Sequence, residues 1–77
     1  MDTTLNEIVV HVDEPVDETL FAELERGIRQ DRGVVSVGRH PGREHLMVVV
    51  YDADVARAST LLHTFQERGL HAQLIGM

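Results

Sequence analysis

The apolar residues follow one period at the start of the chain and a different one after it. Residues 5–12 are rich in β-branched side chains and end at a cluster that contains Asp13 and Pro15, which predicts a β-strand. Asp17 or Asp13 is placed to cap a helix that follows. Apolar residues then recur about every four positions, as on one face of an amphipathic helix: Val16, Leu20, Leu24 and Ile28, with Phe21 beside them.

Three further strands are predicted in the rest of the chain. Residues 34–37 and 46–51 form the second and third strands, joined by a connection that contains Pro41-Gly42. The third strand is apolar almost throughout, which favours a central position in the sheet. Residues 70–75 alternate in polarity and form the fourth strand.

A second amphipathic helix is predicted between the third and fourth strands. Asp52 and Asp54 are placed to cap it, and Gly69 to end it. Its apolar stripe is Val55, Ala58, Leu62 and Phe65, with Leu61 on its flank. The element order is therefore βαββαβ. It predicts an α+β, ferredoxin-like sandwich, in which a four-stranded antiparallel sheet of order 4-1-3-2 carries two helices on one face.

Composition and charge exclude several classes of function. The 77 residues form one domain, residues 1–77, and the absence of cysteine excludes disulfides and thiolate ligands. The net charge of −6 argues against binding to nucleic acid or to an anionic membrane surface, both of which attract basic proteins. The first residues show no signal-peptide pattern, and no segment approaches the ~20 apolar residues that span a bilayer. We therefore expect a cytoplasmic protein.

Three segments resemble the heavy-metal-associated domain family. They are GVVSV after the first helix, MVVVYDADV before the second, and ERGLHAQLIG at the end of the chain. The family typically shows a GV-x-SV element, a V-x-x-D pattern before its second helix, and a closing strand that begins with glycine and contains alanine. The match covers residues 33–76 well and the first helix loosely. It implies a single small domain that binds metal or docks on a related domain.

The metal-binding motif of that family is missing from this chain. The family carries M-x-C-x-x-C at the bend between its first strand and first helix, where two thiolates bind Cu(I) or a similar soft ion. An alignment through Gly33 and Val34 places Asp17 and Leu20 where the two cysteines would stand. Soft-metal transfer through paired thiolates is therefore excluded for this sequence.

The predicted topology brings several possible metal ligands to one edge of the molecule. The end of strand one, the connection between strands two and three, and the start of strand four should meet there, carrying His11, Asp13, Glu14, Asp17, His40, His45 and His71. We predict that His11 and His71 are cross-strand neighbours. With carboxylates, two imidazoles suit Zn(II), Ni(II), Co(II) or Cu(II), and the predicted ligand set is His11, Asp13, Asp17 and His71. The alternative is a set of solvated histidines, with carboxylates that complement the helix dipole.

The face of the sheet opposite the helices is predicted to be apolar. We expect it to present Val9, His11, Met47, Val49, Tyr51, His71, Gln73 and Ile75. The proposed contact residues on it are Val9, Met47, Val49, Tyr51, Gln73 and Ile75, because contiguous apolar patches mark contact sites. The alternative is a one-residue error in strand register, which would exchange the two faces of a strand.

Two functional hypotheses follow from these features. The first is a metal-handling module that resembles the heavy-metal-associated domain, binds a divalent ion without thiolates, and interacts with a metal-handling protein. The second is a module for protein interaction or homodimer formation, without metal, that uses the open face of its sheet. We do not expect an enzyme, because the sequence contains neither a serine nucleophile elbow nor a glycine-rich phosphate loop.

Overall fold

The predicted order of elements is confirmed in a computed structural model that describes residues 4–40 and 42–76. The elements are β1 (Leu5–Val12), α1 (Glu18–Ile28), β2 (Val34–His40), β3 (Arg43–Asp52), α2 (Ala58–Gln66) and β4 (Ala72–Gly76). The strands form one antiparallel sheet in the order β2-β3-β1-β4, which is the predicted order seen from the other side. Pro41, part of the predicted connection, lies outside the described residues. No helix in the described ranges is both long and apolar enough to cross a membrane.

The core lies between the sheet and the two helices. Ile8, Val10 and Val12 alternate along β1 and are fully buried, as the period of a strand with one covered face requires. Across the sheet, Val10 pairs with Met47. The helices cover this face with four buried side chains: Leu24, Ile28, Leu61 and Phe65.

The predicted open face is wrong along β3. Met47, Val49 and Tyr51 are 0%, 0% and 4% exposed and belong to the core, because β3 pairs with β1 in a register that places them beside the buried residues of β1. Instead, the residues between them face away from the helices. The open face of β3 therefore consists of Leu46, which pairs with His11, and of Val48 and Val50. Since β3 is apolar on both faces, its sequence pattern does not determine which face is covered.

The two helices begin differently. The Asp17 side chain accepts a 2.8 Å hydrogen bond from the Leu20 backbone N–H, so it is the N-cap of α1. The prediction for α2 is wrong, because the helix begins at Ala58 with no side-chain cap, while Asp52 accepts a bond from the Asp54 N–H in the preceding turn. Val55 lies in that turn and is exposed rather than part of the helix stripe.

Gly33 is buried where β2 begins, against the turn that leads into α2. A Cβ atom at this position would lie 2.6 Å from the Ala56 Cβ and 2.8 Å from the Ala56 backbone nitrogen. The Gly33 carbonyl oxygen accepts a 2.7 Å hydrogen bond from the Asp52 N–H. The glycine therefore permits the close approach of two backbone segments.

Candidate functional site

The register of the strands brings three segments together at one edge of the sheet. His11 pairs with Leu46 of β3, and Val12 pairs with Ala72 of β4, so the end of β1 meets the starts of β3 and β4. We call this region the hairpin edge. It consists of residues 11–17, 42–46 and 70–72.

Two imidazoles lie against each other at the hairpin edge. The ring centroids of His11 and His45 are 5.8 Å apart, and the ring planes are inclined by 19°. His11 is held by the end of β1 and His45 by the start of β3, both inside regular strands. The sheet therefore sets the positions of the two backbone sites that carry the rings.

The orientation of the His45 ring is set by the backbone of β1. Its Nδ1 atom lies 2.8 Å from the carbonyl oxygen of Val12. A carbonyl oxygen can only accept, so Nδ1 carries the hydrogen and donates it. In the neutral ring the other nitrogen, Nε2, then has a free lone pair. Metal-ligating histidines commonly have this arrangement, in which a backbone carbonyl fixes the tautomer.

His11 carries a buried nitrogen that no hydrogen bond satisfies. The Nδ1 atom is inaccessible to solvent and has no hydrogen-bond partner within the described chain. The nearest carboxylate oxygen, Oδ1 of Asp13, lies 3.3 Å away, within the range of an ion pair but without the geometry of a hydrogen bond. The Asp13 side chain is 63% exposed, and its carboxylate is the group placed to complete this bond.

A second pair at the same edge joins the residue before β4 to the β1–α1 loop. The backbone N–H of His71 donates to Oε1 of Glu14 at 2.9 Å, and its Nδ1 lies 2.6 Å from Oε2. The bond to the imidazole lowers the pKa of Glu14 below its ordinary value, and the bond to the carboxylate raises the pKa of His71 above its own. These bonds hold the β1–α1 loop against the start of β4, and we call the pair of residues the clasp.

The predicted ligands are at this edge, but not in the predicted pairs. His11 pairs with Gln73, whereas His71 lies opposite Asp13, whose N–H donates to its carbonyl oxygen at 2.8 Å. The prediction that His11 and His71 are cross-strand neighbours is therefore wrong. Strand four begins two residues later than predicted, which moves His71 out of the strand and onto Glu14.

No complete metal cage is present in residues 4–40 and 42–76. Among these residues, no three histidine, aspartate or glutamate side chains are placed to hold one ion together. The carboxylate of Asp17 is engaged as the cap of α1, and Glu14 is engaged by His71. The arrangement that remains is a pair of imidazoles with one nearby carboxylate.

A cavity of about 510 Å³ opens beside the imidazole pair. It has apolar and charged walls, formed by His11, Gly42, Arg43, Glu44, His45, Leu46 and Ile75. His45 was expected at this edge from the sequence but was left out of the predicted ligand set. The partner of His45 is 33 positions away along the chain, so no local pattern reveals the contact.

The fold is closely similar to several solved structures. Oxidized MerP from Ralstonia metallidurans CH34 superposes with a TM-score of 0.78 at 14% identity, over 92% of this chain and 97% of that one. A copper binding domain from HMA7, a P-type ATPase, gives 0.78 at 16% identity over 91% and 93%. A putative copper-ion-binding protein from Bacillus anthracis str. Ames gives 0.80 at 15% identity over 94% and 100%.

A fourth similar structure contains more than one domain. The N-terminal soluble domains of Bacillus subtilis CopA give a TM-score of 0.77 at 21% identity, and the match covers 92% of this chain and 48% of that one. At the level of sequence, no protein-family model matches, and no curated protein does. The predicted fold is thus confirmed: this chain has the ferredoxin-like fold of these solved structures, although it is only 14–21% identical to them and contains no cysteine.

Proposed function

We propose that this protein is a metal-handling module that binds a divalent transition-metal ion at the hairpin edge through His11 and His45. Two of the similar structures are described as copper-binding, which supports metal handling as the general role. The absence of cysteine removes the thiolates that a soft ion prefers. Imidazole instead suits Zn(II), Ni(II), Co(II) and Cu(II). The role is binding and exchange with a metal-handling partner, not catalysis.

The orientation of His45 is the observation that carries this proposal. Its Nδ1 is committed to the Val12 carbonyl oxygen, so Nε2 is the nitrogen available to an ion, beside the ring of His11. Asp13 is placed to orient His11 from behind, as carboxylates do for metal-bound imidazoles. Of the set predicted in the sequence, the proposed site keeps His11 as a ligand and Asp13 as its orienting carboxylate. It replaces His71 by His45 and omits Asp17, which caps α1.

The test compares metal binding in matched variants of chelator-stripped protein. Thermal unfolding and calorimetric titration are measured with Zn(II), Ni(II), Co(II) and Cu(II). At a hundredfold excess over Kd, a bound ion adds ~2.7 kcal/mol to the free energy of unfolding, a shift of several degrees in a domain of this size. The shift should disappear in the His11→Ala/His45→Ala double variant.

Two single variants serve as controls. His63→Ala removes an exposed imidazole on α2, away from the hairpin edge, and should keep the full shift. His71→Ala should also keep it, whereas its loss there would return His71 to the ligand set. If no ion shifts the unfolding of the unmodified protein, the metal-handling proposal is wrong.

A second candidate function is supported by the open face of the sheet. Its central positions are apolar, with Val9 on β1 and Leu46, Val48 and Val50 on β3, and Ile75 at its side is 53% exposed. Such a face suits docking on another protein. Val48→Asp should then abolish a complex that chelators do not affect. If metal ions still raise the unfolding temperature of Val48→Asp, metal binding does not depend on the open face, and the two functions are separate.

A further inference from the structure

The two edges of the sheet are protected to different degrees. One outer strand, β2, carries Arg39 and His40, and its register with β3 shifts near both of its ends. The other outer strand, β4 (Ala72–Gly76), contains neither a charged residue nor a proline. Charges, prolines and irregular register are the features by which natural proteins prevent edge-to-edge pairing. The β4 edge therefore lacks the protection that the β2 edge has.

The backbone of β4 presents free hydrogen-bonding groups on its outer side. The Asp13 N–H bonds to the His71 carbonyl, so His71 directs its carbonyl inward towards β1. Successive residues of a strand alternate in this respect, which turns the N–H and C=O groups of Ala72 and Leu74 outward. Within the described part of the chain, no backbone group outside β1 bonds to these residues.

We infer that a second copy of this chain pairs with the β4 edge, antiparallel and about a two-fold axis at Gln73. In this register, Ala72 lies opposite the partner's Leu74, and Leu74 opposite the partner's Ala72. Both residues direct their backbone groups outward, so the register forms four backbone hydrogen bonds between the copies. The two sheets then become one continuous sheet of eight strands.

The position of the axis follows from the irregularity of β4. The pairing of β1 with β4 shifts in register between Val9 and Val10, opposite Leu74 and Gly76. The regular part of the outer edge is therefore confined to residues 72–74, with Gln73 at its centre. An axis at Leu74 would place Gly76, beyond the shift, opposite the partner's Ala72, where the alternation of bonding groups fails.

The side chain at the axis favours a copy of the same chain over a different partner. Gln73 is exposed, and its amide contains both a donor and an acceptor, so it can bond to its own symmetry mate. At a non-hydrogen-bonded pair the two Cα atoms are about 4.5 Å apart, which brings these side chains together. No charged residues of the two β4 strands face each other in this register.

The expected association is weak and strengthens with salt. Pairing through one short strand buries less than the ~1,200 Å² of a standard stable interface, so we expect Kd between ~1 μM and ~1 mM. Each copy carries a net charge of −6, and salt screens the repulsion between them. Docking of a basic partner on the same edge would weaken with salt instead, which distinguishes the two occupants.

The experiment uses charge at the axis and is carried out in chelator, so that metal binding plays no part. Sedimentation equilibrium of the unmodified protein from ~10 μM to ~1 mM should show a monomer–dimer equilibrium. Gln73→Lys and Gln73→Glu should each be monomeric, since they place like charges opposite each other. An equimolar mixture of the two variants should associate again. Ser36→Lys, an exposed position on the β2 edge, should leave the dimer intact.

Three results would overturn the inference. They are a monomer throughout the concentration range, a dimer that both Gln73 variants retain, and a dimer that Ser36→Lys or Val48→Asp abolishes while Gln73→Lys does not. Amide exchange provides an independent readout, because the N–H groups of Ala72 and Leu74 should become protected as concentration rises. Circular dichroism of the Gln73 variants should match the unmodified protein, since the side chain is exposed. Failure of the dimer would leave the proposed metal site untouched.

Discussion

The His45 side chain bonds to the backbone of Val12 and so joins the start of β3 to the end of β1. The regular pairing of β1 with β3 ends at His11 and Leu46, one residue before Val12 would meet His45. The Val12 carbonyl oxygen accepts from Nδ1 of His45 at 2.8 Å. The same bond therefore links the two strands and orients the imidazole whose other nitrogen is proposed to bind metal.

This relationship predicts a cost in stability even without metal. His45→Ala removes one donor to the Val12 carbonyl oxygen, which should lower the free energy of unfolding by about 0.5–1.5 kcal/mol. Urea unfolding of chelator-treated protein measures the change. The matched control is His63→Ala, whose imidazole is 3.9 Å from Glu67 on an exposed helix face, and which should change stability by less than ~0.5 kcal/mol. Equal effects of the two substitutions would contradict a structural role for the His45 bond.

The clasp between Glu14 and His71 predicts a window of pH in which it stabilises the fold. The pKa of Glu14 is lowered from 4.5 by the bond to His71, so its contribution is present above pH 4.5 and is lost as pH falls through the lower folded value. The pKa of His71 is raised from 6.5 by the same bond, so its contribution is present below pH 6.5 and is lost as pH rises through the higher folded value. The clasp should therefore contribute most between these two ordinary values.

Urea unfolding from acidic to alkaline pH tests this window, with Glu14→Gln as the comparison. The difference in stability between the unmodified protein and Glu14→Gln should be largest between the two ordinary pKa values and shrink on both sides. In an NMR titration, the pKa of His71 should fall towards its ordinary value of 6.5 when Glu14 is replaced. A His71 titration that is unchanged in Glu14→Gln would show that the two side chains are not paired in solution.

Replacing Gly33 by alanine should carry a steric cost that the sequence around it does not reveal. In Gly33→Ala the new Cβ would lie 2.6 Å from the Ala56 Cβ and 2.8 Å from the Ala56 nitrogen, so the turn before α2 must move. We expect a loss of about 1–3 kcal/mol in the free energy of unfolding, as for other overpacked positions. Gly38→Ala is the matched control, since a Cβ at that glycine meets nothing within 4 Å. If both substitutions lowered the free energy of unfolding by a comparable amount, the effect would come from replacing a glycine in this strand region in general and not from the contact with Ala56.

The fold was predictable because its main signals are local. The alternation of Ile8, Val10 and Val12, and the helical spacing of Leu24 and Ile28, both describe residues that are buried in the structure. These periods depend on neighbours in the sequence, and the order of the elements then restricts the topology. The cap at Asp17 was predictable for the same reason, because its partner is three residues away.

The register of β3 and the pairs at the hairpin edge were not predictable in this way. β3 is apolar on both faces, so shifting it by one residue changes which side chains enter the core without changing its pattern. The pairs of His45 with Val12 and of His71 with Glu14 join residues 33 and 57 positions apart. Their formation depends on where β1 ends and where β4 begins, and element boundaries are the least certain part of a sequence-based assignment.

Asp17 has two candidate roles, since the sequence predicts it both as a helix cap and as a metal ligand, and the structure shows the cap. Its Oδ1 accepts from the Leu20 N–H at 2.8 Å. Asp17→Ala should therefore lower the free energy of unfolding by about 0.5–2 kcal/mol, and the affinity for a divalent ion at His11 and His45 should not change. Asp17→Asn is the decisive variant, because asparagine keeps a capping oxygen but removes the negative charge. Near-normal stability with unchanged metal affinity would identify Asp17 as a cap alone, whereas a tenfold or greater loss of affinity in Asp17→Asn would make it a ligand and require the β1–α1 loop to join the metal site.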